Sequence, residues 1–256
     1  MKFLASDYDG TLRQSLRVAE KTAARVRLFQ QHGHCFAIVT GRTLNNIYEE
    51  SIDNGVPADY YICSNGGMIA DREGKVVYAE YIDLATAKAL ADYLKTAGFE
   101  GYIASNGFMT CDYHDPAVVI EKGAKVFTYQ LVSEEELFAS GKVVSFAAWI
   151  EDRDRLLELQ KLVDERFGEI VDTFCNCGTL DIVAKGVSKK VGAEHAASLA
   201  GADELFVIGD DYNDLPMIEG LNGFGITTGV EPVRQAASRL FDTVDDCLDY
   251  LENQTN

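Results

Sequence analysis

The chain has 256 residues, 47% of them hydrophobic and 25% charged, which is ordinary for a globular protein with room for one large domain or two smaller ones. Its formal net charge of −18 argues against a nucleic acid or an anionic membrane as a partner, because both require a basic surface. No apolar stretch approaches the roughly 18 residues of a spanning helix, so we expect no membrane partner.

Near both ends of the chain, short apolar strands alternate with helical patterns. In chain order, the pattern predicts strands at 2–6, 35–40 and 60–64 with helices at 18–33 and 43–55, and later strands at 204–211 and 223–228 around a helix at 215–221. Continuous apolar strands that alternate with helices indicate a parallel sheet covered on both faces.

The middle of the chain has the pattern of antiparallel strands with two main helices. A hairpin is predicted at 68–81, with its turn at Arg72–Gly74. The elements predicted after it are helices at 83–98, 133–140 and 152–168 and strands at 101–105, 108–113, 125–132, 142–151, 169–174 and 179–184.

We interpret residues 81–183 as an α+β domain inserted into a first domain, which is formed by residues 1–80 and 184–256. The predicted fold class is therefore α/β, with a doubly wound, mostly parallel, Rossmann-like core and an inserted α+β cap.

The six cysteines are scattered along the chain, and two of them, Cys35 and Cys63, lie within predicted apolar strands. They do not form the pattern of a disulfide framework. The N-terminus has no long apolar segment followed by a small-residue cleavage site, so we predict no signal peptide. A cytoplasmic location is the resulting expectation.

Polar residues follow three of the predicted strands of the first domain. DYDGT begins at Asp7, TGR at Thr40 and GDDYND at Gly209. Ligands of open α/β sheets bind outside the carboxyl ends of the strands, so the three turns are expected to converge on one crevice. Asp7 and Asp9 are expected to point the same way, because residues two apart in an extended segment share a face.

This crevice is expected to collect most of five carboxylates, from Asp7, Asp9, Asp210, Asp211 and Asp214. Two carboxylates about 4 Å apart repel by roughly 4 kcal/mol at an effective dielectric constant near 20. Such a cluster needs a cation, and oxygen ligands favour Mg²⁺ over zinc or copper. A hard cation with open coordination positions favours a phosphate ligand in turn.

The same turns offer hydrogen-bond donors for a phosphate. Thr40 has a hydroxyl, Gly41 a backbone N–H that a ligand can approach closely, and Asn213 a side-chain amide. Lys189 or Lys190, at the start of a predicted helix, can neutralise phosphate charge. Each motif alone is weak, since DYDGT also suits a surface turn and GDDYND an acidic loop or a calcium-binding turn. Their order and their positions at strand ends favour a reaction centre.

DYDGT, TGR, GVSKK and GDDYND, in this order, resemble the four motifs of the haloacid dehalogenase-like (HAD) superfamily. The large insertion between TGR and the lysine resembles that of the Cof-like branch, the sugar-phosphate phosphatases with an α/β cap of the C2 (C2B) type. SNGG, which follows the third strand, and DIVAKGVSKK also fit that branch. The resemblance covers the whole chain.

The resemblance implies a role for each matching residue. Asp7 is the nucleophile that forms a phosphoaspartate, and Asp9 is the general acid and then the base that activates water. Mg²⁺ is held by Asp7, by the backbone carbonyl of Asp9 and by Asp210. The residues implied to bind phosphate are Tyr8, Thr40, Gly41, Lys189 and Asn213, with Lys189 preferred to Lys190 because it aligns with the lysine of GVSK. Asp214 and, with an undefined role, Asp211 are implied to lie around the metal ligands. Possible substrate contacts are Arg42, Asn65 and Gly66.

The cap is expected to close over the crevice and to set specificity. Candidates for substrate contact within it are Asn106, Tyr113, His114 and Trp149, although each also suits a structural role.

The expected function is a Mg²⁺-dependent phosphatase that hydrolyses small phosphorylated metabolites, sugar phosphates first. A phosphosugar mutase is an alternative that uses the same aspartate, although mutases of this superfamily carry a helical cap between the first two motifs. A phosphoaspartate-based binding or signalling module is a second alternative, but such modules are one compact domain without a cap. A carbon–halogen hydrolase of the superfamily would lack the acid at the position of Asp9.

Overall fold

The computed structural model describes residues 1–114, 130–176 and 178–254. Its strands are, in chain order, β1 (Lys2–Asp7), β2 (Cys35–Val39), β3 (Tyr60–Cys63), β4 (Met68–Asp71), β5 (Val76–Ala79), β6 (Gly101–Ser105), β7 (Met109–His114), β8 (Gln130–Leu131), β9 (Ser145–Trp149), β10 (Val171–Asn176), β11 (Thr179–Ala184), β12 (Glu204–Gly209), β13 (Asn222–Ile226) and β14 (Arg239–Phe241). Its helices are α1 (Glu20–Gln31), α2 (Leu44–Asp53), α3 (Leu84–Ala97), α4 (Glu134–Ala139), α5 (Arg153–Phe167), α6 (Lys189–Ala200), α7 (Leu215–Gly220), α8 (Glu231–Ala236) and α9 (Val244–Asn253).

The first sheet has eight strands in the order β14-β13-β12-β1-β2-β3-β4-β5. All pairs from β14 to β3 are parallel, whereas the hairpin of β4 and β5 adds two antiparallel strands at one edge. The order runs outward from β1 in both directions, so β1 lies at the point where a doubly wound sheet opens its binding crevice. The predicted fold class is confirmed.

Helices cover both faces of this sheet, because the side chains of its strands point alternately to each side. Leu4 of β1 packs in a cluster that also contains residues of α1, α2 and α9. Its neighbours Phe3 and Ala5 belong to a second cluster with residues of α6, α7 and α8. Apolar residues on both faces are what the uninterrupted run of β1 predicted.

The second sheet has six strands in the order β10-β11-β9-β6-β7-β8, and all of its pairs except β7–β8 are antiparallel. One face packs against α3, α4 and α5 through a cluster that includes Leu90, Tyr102, Phe146 and Leu159. We call this sheet with its helices the cap. The domain limits at residues 81 and 183 stay a prediction. The limit at residue 81 falls between β5, which belongs to the eight-stranded sheet, and β6, which belongs to the six-stranded sheet.

Some sequence predictions differ from the structure. Most of the strand predicted at 125–132 lies outside the described residues. The elements α8, β14 and α9 were not predicted at all, although α9 carries a signal that would have identified it. Thr243 caps this helix, and Val244, Cys247, Leu248 and Leu251 form one apolar face at helical spacing. Of the helices in the described segments, none is both long and apolar enough to cross a bilayer.

Candidate active site

The carboxyl ends of three neighbouring strands meet at one end of the eight-stranded sheet. Asp7 is the last residue of β1, Thr40 follows β2, and Asp210 follows β12. They lie together because β1 pairs with β2 on one side and with β12 on the other. The three turns border a cavity of about 500 Å³, which the cap sheet covers with residues of β6, β9, β10 and β11.

The structure brings together most of the residues that the sequence predicted for the site. Those that line the cavity are Asp7, Asp9, Thr40, Gly41, Arg42, Asn65, Lys189, Asp210, Asp211 and Asn213. Tyr8, Gly66 and Asp214 do not line it. Among the cap candidates, none of Asn106, Tyr113, His114 and Trp149 lines it either.

Lys189 connects two of the predicted aspartates. Its ammonium lies 2.7 Å from Oδ1 of Asp7 and 2.6 Å from Oδ1 of Asp214, and 2% of the residue is exposed. Burial alone lowers the pKa of Lys189, but the two carboxylates favour the ammonium and raise the pKa above its ordinary value. Lys190 instead pairs with Glu194 on the surface of α6, which leaves Lys189 as the lysine of the cavity.

The carboxyl group of Asp7 is buried, and burial raises its pKa well above the ordinary value. Lys189 opposes this rise, whereas the nearby charges of Asp214 and Asp210 add to it. An ionised Asp7 therefore depends on the positive charge that surrounds it.

Three carboxyl groups form a compact oxygen-rich cluster. One oxygen each from Asp7, Asp210 and Asp214 lies within 4.8 Å of the others. Burial raises the pKa of Asp210 to about 6, and the hydroxyl of Thr11 donates a hydrogen bond to this carboxylate. A donor set of carboxylate oxygens without nitrogen or sulfur suits a hard divalent cation.

Asp214 holds the turn that carries Asp210. Its Oδ2 accepts hydrogen bonds from the backbone N–H groups of Asp210 (2.9 Å) and Asp211 (3.0 Å). Asp211 in turn accepts a hydrogen bond from the N–H of Tyr212, so it caps the short 3₁₀ turn at Tyr212–Asp214. These contacts give Asp211 a structural role in the turn.

The carboxylate of Asp9 lies among arginines. Arg42 donates to it from Nε (2.5 Å) and from Nη2 (2.6 Å), and Arg13 also forms an ion pair with it. Burial raises the pKa of Asp9, but the hydrogen bonds and charges of Arg42 and Arg13 outweigh burial and lower it. Glu50 of α2 pairs with both arginines. β1 ends at Asp7, and both Asp7 and Asp9 line the cavity, as expected, but their carboxylates contact different partners, Lys189 and Arg42 respectively.

The side chain of Tyr8 points away from the cavity. It is fully buried in the cluster beneath α1 and α2, and its hydroxyl donates to Glu50. The guanidinium of Arg42 lies 5.2 Å from the centre of its ring. A phosphate contact of Tyr8, as predicted, is therefore limited to its backbone N–H.

Thr40, Gly41 and Asn213, which were predicted to bind phosphate, also line the cavity. The hydroxyl of Thr40 accepts a hydrogen bond from the N–H of Arg42, which fixes the TGR turn. The amide of Asn213 donates to Oδ1 of Asn65 at 3.3 Å. Ser64 and Asn65 have positive φ angles of 50° and 52°, which is uncommon for residues other than glycine and occurs often at functional sites.

Gly66 permits a close approach of two elements. Its φ is +101°, and a Cβ atom added there would lie 2.3 Å from the backbone oxygen of Ser188. Ser188 immediately precedes Lys189, so the absent side chain at Gly66 allows the start of α6 to reach the cavity. This is a structural reason for the glycine, which was predicted as a possible substrate contact.

A family model described as haloacid dehalogenase-like hydrolase matches residues 4–247, a range that contains all four motifs. The chain belongs to this family. The resemblance found in the sequence is thus confirmed, as is the expectation of an enzyme of a hydrolase family.

Known proteins resemble this haloacid dehalogenase-like hydrolase over nearly its whole length. An uncharacterized protein of Mycoplasma capricolum is 26% identical over 243 residues, which are 85% of this chain and 87% of that protein. The structure of a haloacid dehalogenase-like hydrolase of Bacillus subtilis has a TM-score of 0.83 at 18% identity and covers 98% of this chain and 100% of its own. A sugar phosphatase of HAD subclass IIB has a TM-score of 0.79 at 24% identity, with 98% and 99% covered. These structures share the fold.

Sequence reasoning missed several polar residues of the site, and Arg13 and Asp181 are two charged examples. Arg13, which pairs with Asp9 and Glu50, lies only two residues beyond DYDGT, but nothing in the sequence shows that the chain turns back there. Asp181 of β11 reaches the cavity from the cap. A carboxylate inside the apolar strand TLDIVA is unusual, and this was the available signal.

Asp181 is buried, and burial raises its pKa to about 6. Its Oδ2 accepts a hydrogen bond of 2.8 Å from the amide of Asn65, so a cap residue directly contacts a residue that was predicted as a possible substrate contact. A Cβ atom added at Gly41 would lie 3.0 Å from the same oxygen.

Proposed function

We propose that this hydrolase is a Mg²⁺-dependent phosphatase of small phosphorylated metabolites, sugar phosphates first, with Asp7 as the nucleophile. The observation that carries the proposal is the position of the Asp7 carboxylate in a covered cavity. One buried lysine and two further carboxylates surround it there. Such an arrangement suits attack on a phosphate, whose negative charge otherwise repels a carboxylate.

The reaction proceeds in two displacements. An oxygen of Asp7 attacks phosphorus and forms an aspartyl phosphate, while the bond from phosphorus to the leaving oxygen breaks. That oxygen takes a proton from Asp9, which must first bind one from solvent because Arg42 and Arg13 lower its pKa in the free site. Asp9 then takes a proton from water, the water oxygen attacks phosphorus, and the bond from phosphorus to the Asp7 oxygen breaks. Inorganic phosphate leaves, and both carboxyl groups return to their initial states.

The other residues bind and orient the phosphate. Lys189 offers an ammonium beside the attacking carboxylate, and its burial strengthens this interaction because water screens it little. Thr40, Gly41 and Asn213 line the cavity with hydroxyl and amide donors. Arg42 keeps the Asp9 carboxyl group in one orientation through two hydrogen bonds.

The cluster of Asp7, Asp210 and Asp214 fits a magnesium ion by its all-oxygen donors and their mutual separation. Asp7 and Asp210 would hold the ion together with the backbone carbonyl of Asp9, and Asp214 would support the Asp210 turn. When bound, the ion supplies positive charge that offsets the charge of the phosphate and of the carboxylates.

The cavity restricts the size of the substrate. Its volume of about 500 Å³ is in the usual range for small-molecule sites, and the cap sheet covers it. This shape favours a free metabolite over a phosphorylated protein side chain.

The test is phosphate release from a panel of phosphorylated metabolites with Mg²⁺ or with EDTA. We expect release that depends on Mg²⁺ and falls at least about a thousandfold in Asp7→Asn, because the nucleophile is lost. Asp245→Asn is the matched control, since Asp245 is equally buried but lies at the start of α9, outside the cavity. Release that is equal in Asp7→Asn, or interconversion of isomers without phosphate release, would contradict the proposal.

A further inference from the structure

A single ionisable residue of the cap lines the cavity, as far as the described residues extend. The cap residues at the cavity are otherwise apolar or neutral, and they include Ile103, Ser145, Ala147 and Thr179 beside Asp181. Asp181, Ala147 and Ile103 lie side by side on three adjacent strands.

Asp181 lies at the border between the cap and the predicted phosphate site. Its Oδ2 contacts Asn65 at 2.8 Å and approaches Gly41, so it borders the predicted phosphate site from the cap side. Its other oxygen lies 3.4 Å from the hydroxyl of Thr179. A group attached to the phosphate therefore meets this carboxylate as soon as it extends towards the cap.

The cations that line the cavity are each paired with two carboxylates. Lys189 contacts Asp7 and Asp214. Arg42 contacts Asp9 and Glu50. A second anionic group on the substrate would find these cations engaged and would face Asp181 in a buried site, where like charges repel strongly.

We propose that Asp181 restricts this site to phosphate esters whose organic part carries no negative charge, and that it binds a hydroxyl or amine of that part. The inference rests on the proposed phosphatase function and specifies its substrate class: monophosphates of sugars, polyols or amino sugars. Esters that also carry a carboxylate or a second phosphate are rejected. Asp181 acts on the choice of substrate and takes no part in the transfer of the phosphate.

Sorbitol 6-phosphate and 6-phosphogluconate test this inference, because they differ only at C1, where one has a hydroxymethyl group and the other a carboxylate. We expect the parent enzyme to hydrolyse sorbitol 6-phosphate with a kcat/KM at least about thirtyfold higher than its kcat/KM for 6-phosphogluconate. Asp181→Asn should narrow this ratio about tenfold, because the carboxamide keeps the size and removes the charge. Asp181→Ser provides a second neutral side chain should the first variant fold poorly.

Asp112→Asn is the matched control. Asp112 lies on β7 opposite Ile103 of β6, in the same sheet, but does not line the cavity. Its substitution should leave the ratio unchanged. A residue that merely oriented Asn65 would, on substitution, lower the turnover of both compounds alike and leave their ratio intact.

Hydrolysis of p-nitrophenyl phosphate by the parent enzyme tests the phosphatase function separately. If this compound is not hydrolysed, the proposed function fails. If it is hydrolysed, the inference about Asp181 is overturned by any one of three results. These are equal turnover of the two C1 analogues by the parent, an unchanged ratio in both Asp181 variants, or no turnover of sorbitol 6-phosphate.

Discussion

The guanidinium of Arg42 binds the carboxylate of Asp9 through two hydrogen bonds, of 2.5 Å from Nε and 2.6 Å from Nη2. A two-point contact fixes both the position and the plane of the carboxyl group, which a single hydrogen bond does not. Arg42 itself is fixed by Glu50 and by the ring of Tyr8. The proposed general acid is therefore oriented before a substrate binds.

Arg42→Lys should lower kcat about 10- to 100-fold with a smaller effect on KM, because one ammonium cannot make the two-point contact with Asp9. Steady-state kinetics with the best substrate of the panel measures this change. Arg25→Lys is the matched control, since Arg25 also pairs with two carboxylates, Asp249 and Glu252, but lies on α1 away from the cavity. Equal activity of the Arg42 variant and the parent would contradict a role of Arg42 in catalysis.

Magnesium should raise the free energy of unfolding, because a cation in the cluster of Asp7, Asp210 and Asp214 relieves their mutual repulsion. At a concentration of 100 times the dissociation constant, the expected gain is about 2.7 kcal/mol. Asp210→Asn should lose most of this gain and be at least as stable as the parent in EDTA. Urea unfolding with Mg²⁺ or EDTA measures both effects.

The neighbouring Asp211→Asn provides the control for the magnesium experiment. Asp211 is not part of the three-carboxylate cluster, and asparagine also caps helical turns well, so the gain from Mg²⁺ should persist. A metal response that is lost equally in both variants would place the ion elsewhere in the acidic turn.

Most of the eight-stranded sheet could be predicted because its strands are short apolar runs that differ clearly from the helices between them. Strands β1, β2, β3 and β12 end within one or two residues of their predicted limits. The three-residue β14 and the six-residue α8 could not be predicted, since elements this short show no clear hydrophobic period. Helix α9 was missed although its period was visible.

The site could be predicted in part. The motifs predicted that Asp7, Lys189 and Asp210 share one cavity, because Asp7 ends one strand of the sheet, Asp210 follows the neighbouring strand, and Lys189 begins a helix. The partners of Asp9 could not be derived, since the chain leaves the strand at Asp7 and its later course depends on the turn at Gly10. Asp181 comes from the cap, and no local pattern reveals which face of an inserted sheet covers a distant crevice.

Gly10→Ala and Gly33→Ala should lose similar stability but differ in activity. Both glycines have positive φ angles, +93° and +81°, so alanine costs about 1 to 2 kcal/mol at each. A Cβ at Gly10 would lie 2.2 Å from Oδ2 of Asp210, whereas a Cβ at Gly33 would meet no atom within 4 Å. Displacement of Asp210 should reduce activity about a hundredfold in the Gly10 variant alone.

Chemical denaturation and phosphate release, measured on both glycine variants, separate these effects. The Gly33 variant reports the backbone strain without the contact to Asp210. Full activity in Gly10→Ala would mean that the Asp210 carboxylate can move without consequence, which would contradict its proposed place at the metal.

The stability difference between Asp181→Asn and the parent should depend on pH. Burial raises the pKa of Asp181 to about 6 in the folded protein, against an ordinary value of 3.8, so the folded state binds more protons than the unfolded state between these values. The contribution of this group to the free energy of unfolding therefore falls as the pH rises through that window. Asparagine does not titrate and does not share this loss.

We expect Asp181→Asn to gain about 2 to 3 kcal/mol relative to the parent between pH 4 and pH 7, since each unit of pKa shift corresponds to about 1.4 kcal/mol. Urea unfolding of both proteins at several pH values measures their difference in free energy of unfolding. The contributions of all other titrating groups are common to both proteins and cancel in this difference. Asp112→Asn, which removes a carboxylate from the same sheet outside the cavity, should show a much smaller change. A difference that stays constant over this range would mean that Asp181 is ionised as readily in the folded protein as in the unfolded chain. In that case water or a counter-charge must reach it inside the cavity.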